Sequence, residues 1–362
     1  MGFRFLHTAD WQLGKPFAGF EPDLSASLRA ARLAMIDRIA GIAREEGVQH
    51  VLVAGDVWDQ AMPSDRVLLQ PIDLMAAASA LEWWLLPGNH DPAGPESLWQ
   101  RLITRGLPPN IHPVLEPTPV PMTDDVFLLP APWASKRPGR DLTAAFDAME
   151  TPQGARRIGL AHGGVQGFGS DPDASYPIDP DRAEKAGLSY LALGDWHGTK
   201  KAGPRAWYPG TPEPDRFRNN DAGAVLLVEE GQEEAPRRIP THSFLWEMHE
   251  LSVERTMQPH DVVASLTEAT WPAHQRLAQV ELTGRVSLNQ RRALDAIRQD
   301  LAARLAFLDW RDGALEIAMD EDQSITDHAD PVIAETARRL AAMDDEEAKA
   351  ALLLLDDLAR AS

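Results

Sequence analysis

The 362-residue chain contains no cysteine and only three tyrosines. Without thiolates it cannot build a disulfide framework, an iron–sulfur cluster or a Cys-ligated structural zinc site. The same absence fits a reducing cytoplasm, where the protein is expected to reside. Long hydrophobic runs are also missing. No segment approaches the roughly 20 apolar residues of a membrane span, and the N-terminus enters a strand pattern without the features of a signal peptide. Positive charge is scarce: 35 Lys and Arg stand against 55 Asp and Glu, for a net charge of −20. That balance argues against an autonomous nucleic-acid binder, because duplex binding is driven by cations neutralising phosphates. The excess is uneven. Asp312–Ser362 carries fourteen acidic and four basic residues, about half of it. Upstream lie small basic clusters such as Lys136, Arg137 and Arg140, and Arg216 with Arg218.

What the chain does contain is ordinary for a soluble globular protein, with 44% hydrophobic and 25% charged residues and length for about two domains. Short apolar runs at Phe3–His7, His50–Ala54, Trp83–Leu86, Val126–Leu129, Ile158–Ala161, Tyr190–Leu193 and Ala224–Val228 read as buried strands. Leu24–Glu46 has helical spacing, as has Ser64–Ala80, where Pro71 is expected to kink or break the helix. This alternation predicts an α/β domain. The paired Trp83 and Trp84 read as packing residues.

Five polar clusters punctuate this pattern: Asp10-Trp11-Gln12, Gly55-Asp56-Val57-Trp58-Asp59, Gly88-Asn89-His90-Asp91, Ala161-His162-Gly163-Gly164 and Gly194-Asp195-Trp196-His197-Gly198. Most follow an apolar strand directly, so carboxylate, amide and imidazole groups are delivered to what would be one sheet edge. Singly, Asp10 and Asp56 read as turn or cap residues and His162 and His197 as ordinary histidines. As an ordered set they read as metal ligands. Oxygen and imidazole donors without thiolate suit manganese, iron, zinc or magnesium. Paired ions of this kind hydrolyse phosphate esters by clamping the attacking and leaving oxygens.

The order D-x-H, GDxxD, GNH[DE], H and GHxH resembles the signature of calcineurin-like metallophosphoesterases. His7–Gly14 and Tyr208–Pro214 are similar to segments of the SbcD-type and YhaO-type DNA repair nucleases within it. The resemblance covers roughly residues 1–245. It implies a two-sheet sandwich flanked by helices, followed by a small α+β cap at 246–330 and a helical tail at 331–362. It further implies two divalent ions, manganese first among the candidates. Asp10 and His197 would serve one ion with Gln12 as a weak ligand, and Asn89, His162 and Asp195 the other, with Asp56 bridging. His90 would act on the transition state, held by Asp91, with Asp59 supporting the site from behind. Lys200 and Lys201 border the last cluster and are candidates for substrate contact. The chain departs from the pattern at Gln12 and Asp195, each standing where the motif has histidine. A carboxamide is a weaker, neutral donor and a carboxylate a harder, anionic one. Three carboxylates in the set favour manganese over zinc in turnover.

Past residue 245, Leu251–Val253, Ala278–Thr283 and Ala314–Ala318 suggest strands, and His260–Ala269 and Leu288–Ala306 helices. Pro331–Met343 and Asp345–Arg360 read as a helical pair whose apolar residues suit a protein partner better than DNA. The resemblance makes that partner an SbcC-like or YhaN-like coiled-coil ATPase, and leaves a homodimer open. The expected function is a cytoplasmic, metal-dependent DNA exonuclease subunit. The alternatives are a phosphodiesterase for small nucleotides or other phosphoesters and a catalytically weakened docking subunit of an ATPase complex.

Overall fold

Buried strands that alternate their side chains between two apolar environments need cover on both faces, and the chain supplies it. The computed structural model describes residues 2–167, 177–218, 220–229, 235–253, 271–317, 330–343 and 345–361. It divides into two units, 1–244 and 245–362. In the first unit β1 (Arg4–Thr8), β2 (His50–Val53), β3 (Glu82–Leu85) and β4 (Ile111–Pro113) run parallel. The second sheet is built on β5 (Val120–Pro121), β6 (Val126–Ala131), β7 (Arg156–His162), β8 (Tyr190–Gly194), β9 (Lys200–Lys201) and β10 (Ala206–Tyr208). The chain then returns to the first sheet with β11 (Ala224–Glu229) and β12 (Arg237–Pro240). The strand orders are β12-β11-β1-β2-β3-β4 and β5-β6-β7-β8-β10-β9. The short strands β4, β5, β9 and β10 have too few residues to show a period, and β12 is largely exposed, so the sequence pattern misses them.

The sandwich follows from the two-residue period. Phe5, Leu52 and Leu226 of the first sheet, with Leu86 just past β3, meet Leu128, Ile158, Leu160 and Ala192 of the second in one core cluster. Their neighbours Leu6, Val51, Val53 and Leu85 face the other way, onto α1 (Pro22–Glu45), α2 (Asp65–Ala77) and α3 (Leu98–Arg105). The outer face of the second sheet is covered by the 3-10 turn Leu142–Ala148 and the short α4 (Arg182–Lys185). Trp83 and Trp84 are buried packing residues.

Of the kink or break expected at Pro71, the break does not occur. The helix α2 continues through Pro71. Proline removes the N–H that would bond the carbonyl of Val67 one turn back. The indole Nε1 of Trp58 donates to that carbonyl instead, at 3.1 Å. The lost backbone bond is thus replaced by a side chain from one of the polar clusters.

In the second unit β13 (Leu245–Val253), β14 (Arg276–Val286) and β15 (Phe307–Ile317) form a parallel sheet. The helix α5 (Leu288–Arg304) connects β14 to β15 and begins with a reciprocal Ser287–Gln290 capping box. Leu294 and Leu301 pack on Val280, Leu282 and Val286. The expected helix His260–Ala269 lies outside the described residues. The tail forms α6 (Pro331–Ala341) and α7 (Glu346–Ala361). Among the described residues no helix is long and apolar enough to cross a membrane.

Candidate metal centre

Parallel strands bring their C-terminal ends to one edge, where the following loops carry the polar clusters. The loop after β1 is stitched to the loop after β2 by Asp10 N–H to Gly55 O at 3.1 Å and Gln12 N–H to Asp56 O at 2.9 Å. Gly163, after β7, donates to Gly194 O at 3.0 Å. Four non-glycine residues here adopt left-handed backbone: Asp10 (φ 54°), Gln12 (φ 42°), Asp56 (φ 53°) and Asp195 (φ 104°). Such conformations cost on the order of 1–3 kcal/mol each and collect at functional sites. Glycine is required at position 88, where a Cβ would sit 2.1 Å from Asp56 Oδ1.

Asp10, Asp56 and His162 are buried, and their ligating atoms lie within 4.8 Å of one another. His162 Nδ1–H donates to the Ala54 carbonyl at 2.8 Å, which leaves Nε2 with its lone pair. That Nε2 faces Asn89 Oδ1 at 2.9 Å, Asp56 Oδ1 at 3.5 Å and Asp195 Oδ1 at 3.9 Å. Acceptors converging on an imidazole lone pair need a cation among them, so this donor set fits a divalent metal. Without one, a proton answers the same demand. Burial disfavours the charged imidazole, yet Asp56, Asp10 and Asp195 outweigh it and push His162 up to about 9. Burial raises Asp10 to about 6, opposed by His197 and His162.

His197 lies on the other side of Asp10, with Nε2 3.9 Å from Asp10 Oδ1. Its Nδ1 is 3.1 Å from Asp215 Oδ1, a carboxylate behind an imidazole. Asp215 was not legible as a site residue. Its position directly after the similar segment Tyr208–Pro214 was the available signal. Despite burial, the His197 hydrogen bond and the neighbouring Arg32 and Arg216 hold it well below the usual carboxylate range. Lys15, which belongs to none of the five clusters, donates from Nζ to Gln12 Oε1 at 2.9 Å and to Asp215 Oδ2 at 2.5 Å. Behind them the buried Arg32 guanidinium joins α1 to Trp11 O at 2.6 Å and Glu213 O at 2.8 Å.

Several of these residues make contacts other than those the motif implies. Asp91 does not hold His90. Its carboxylate accepts the main-chain N–H groups of Gly88 at 2.7 Å and Trp58 at 3.1 Å. Burial, with Asp56 nearby, pushes it up to about 7. It is a clamp that shapes two loops. Asp59 meets the site through its main-chain carbonyl, which lies 2.9 Å from His90 Nδ1 and fixes the ring. The His90 side chain is 42% exposed, with Nε2 3.9 Å from Asp56 Oδ2. Lys200 and Lys201 lie over the rings of Trp196 and Trp207 at 4.9 and 5.7 Å. The cleft beside Asp56 and His90, about 250 Å³, is lined instead by Lys15, Arg216 and Arg218. A larger cavity of about 640 Å³ adjoins Asn89, His162 and Asp195 and is lined by Trp133, Lys136, Arg137 and Arg140.

A two-sheet α/β sandwich with carboxylate, amide and imidazole donors at its strand ends defines a metallophosphoesterase. The chain belongs to the calcineurin-like phosphoesterase family, whose model matches residues 3–228. It is similar to a protein of Rhodobacter capsulatus named as the SbcD subunit of the nuclease SbcCD, at 29% identity over 84% of this chain and 86% of that one. A Bacillus subtilis protein named uncharacterized metallophosphoesterase YhaO is 26% identical over 67% of this chain and 61% of its own length. The SbcD subunit of the Escherichia coli K12 nuclease SbcCD is 33% identical over 24% of this chain and 21% of its own. The family implies divalent metal ions and phosphoester hydrolysis.

Proposed function

We propose that this chain is a metal-dependent phosphodiesterase that hydrolyses DNA from its ends as the nuclease subunit of a complex with a coiled-coil ATPase in the cytoplasm. The observation that carries the hydrolytic reading is the convergence of Asp56, Asn89 and Asp195 oxygens on the His162 Nε2 lone pair. These four would hold one divalent ion, with Asp10 and His197 standing beside it, 3.9 Å apart. A bound divalent ion supplies an activated water and offsets charge on the phosphate oxygens. The chain's own groups do the rest. His90, with Nδ1–H committed to the Asp59 carbonyl, turns Nε2 toward the cleft. There its protonated form delivers a proton to the leaving oxygen. Arg216 and Arg218 neutralise flanking phosphates on one side and Lys136, Arg137 and Arg140 on the other. These local cations answer the objection of a net charge of −20. The names of the SbcCD relatives favour a nucleic-acid phosphodiester as substrate and a second subunit as partner.

The test compares linear duplex DNA, the same duplex circularised, and bis-p-nitrophenyl phosphate in manganese. The reading expects linear DNA to be degraded and the closed circle spared, with higher turnover in manganese than in zinc on metal-stripped protein. Turnover of the small ester alone would transfer the assignment to a small phosphoester. Binding of an ATPase with no hydrolysis would transfer it to a docking subunit.

A further inference from the structure

The two halves of the centre are wired differently, and the difference originates in Lys15. A turn closed by Lys15 N–H to Gln12 O at 3.2 Å places the two side chains together. An ammonium has only donors, so the Gln12 atom 2.9 Å from Lys15 Nζ is the carboxamide oxygen. The Gln12 amide nitrogen therefore faces His197 Nε2, at 3.3 Å. Asp215 Oδ1 takes the Nδ1–H of His197 at 3.1 Å. Arg216 Nη2 lies 3.2 Å from Asp215 Oδ2 and 3.0 Å from the same Nδ1, which ties the carboxylate and the ring together. With its proton on Nδ1, His197 carries a lone pair on Nε2, and the Gln12 N–H caps it.

The circuit closes because Lys15 also donates to Asp215. Lys15, Gln12, His197 and Asp215 form a closed ring of four polar contacts. Among the described residues nothing comparable caps His162, whose lone pair faces oxygen atoms. A histidine at position 12 would present a lone pair to a metal, whereas this glutamine has its oxygen engaged by an ammonium and points N–H groups inward.

We propose that the centre holds one resident divalent ion, on Asp56, Asn89, His162 and Asp195, while the Lys15–Gln12–His197–Asp215 ring closes the other half against a tightly bound second ion. This rests on reading the site as a metal centre and is independent of the substrate.

The experiment loads metal-stripped full-length protein with Mn²⁺ alone and reads stoichiometry by equilibrium dialysis and coupling by electron paramagnetic resonance. Wild type should take up one ion per chain with an uncoupled six-line spectrum. Lys15→Ala combined with Gln12→His should admit a second ion and give an exchange-coupled spectrum. Lys15→Gln alone, a milder change, should tighten the second ion by about tenfold, the scale at which outer partners tune metal affinity. Two tight, coupled ions in wild type would overturn the proposal. So would single-ion behaviour of both variants when circular dichroism shows them folded. Absence of any bound Mn²⁺ in wild type would sink the metal-centre reading itself. One ion with no hydrolysis of any phosphodiester would sink the functional reading and leave the one-ion assignment standing.

Discussion

His162 and His197 look alike in sequence, each close behind a buried strand and beside glycine. Their surroundings make them different chemical groups. A backbone carbonyl fixes the tautomer of His162 and aims its free nitrogen at oxygens. A carboxylate fixes that of His197 and a carboxamide N–H caps the free nitrogen. A third buried imidazole, His7, sharpens the contrast. It sits between the sheets, 3.0 Å from Tyr190 OH and 3.2 Å from the Leu193 carbonyl. Burial drives it down to about 3, whereas carboxylates drive His162 up to about 9 against the same penalty. Burial reports little about a histidine until its neighbours are named.

The largest expected effect separates binding from chemistry. Asp56 accepts the main-chain N–H of His90 at 2.9 Å and stands 3.5 Å from His162 Nε2. Asp56→Ala should abolish both manganese uptake and turnover of bis-p-nitrophenyl phosphate. His90→Ala should keep the ion and lose about 10²-fold in turnover, the usual scale of general-acid effects. Wild-type turnover in His90→Ala, or loss of its metal, would remove His90 from the chemistry.

A smaller, pH-dependent effect tests the His7 side of the comparison. Because its folded value lies below the unfolded 6.5, the fold prefers the neutral ring. The stability this contributes is full above pH 6.5 and is lost as the pH falls toward 3. Urea midpoints at about pH 7 and about pH 4 should therefore separate further in wild type than in His7→Gln, which cannot titrate. Equal separations would mean that His7 takes up its proton without resistance from the fold.

The alternation of strands and the order of the clusters were enough to read the α/β sandwich, because each cluster closes a strand whose burial shows in its apolar run. Proximity of Asp10, Asp56 and His162 followed from that topology. What the pattern did not contain was partner choice. Asp91 turns to the amides of Gly88 and Trp58, because a buried carboxylate takes the nearest backbone donors. Lys200 and Lys201 stack on tryptophans whose positions depend on tertiary packing. Lys15 and Asp215 are 200 residues apart and meet only in the folded chain. Pro71 read as a breaker because the donor that replaces its missing N–H comes from Trp58.

The smallest expected effect on hydrolysis lies in the tail, and it tests whether chemistry and partner binding are divided between the two units. Ile333, Leu340 and Leu355 pack around Ala337 and Leu352, so much of the apolar face expected for a partner is spent between α6 and α7. An ion pair from Arg292 to the buried Asp356 attaches α7 to α5. Among the described residues of the tail, the large apolar side chains left exposed are Val332, Met343, Leu354 and Leu358. Every proposed metal ligand lies within residues 1–244. Deletion after Asp330 should therefore leave turnover of bis-p-nitrophenyl phosphate within roughly twofold of wild type, as expected for independent sites. Co-purification with the ATPase should be lost. Exchanging Val332, Leu354 and Leu358 for serine should reproduce that loss without removing the helices, which circular dichroism would verify. Retained ATPase binding in both variants would show that docking does not use the tail, and loss of turnover on deletion would show that the units are not independent.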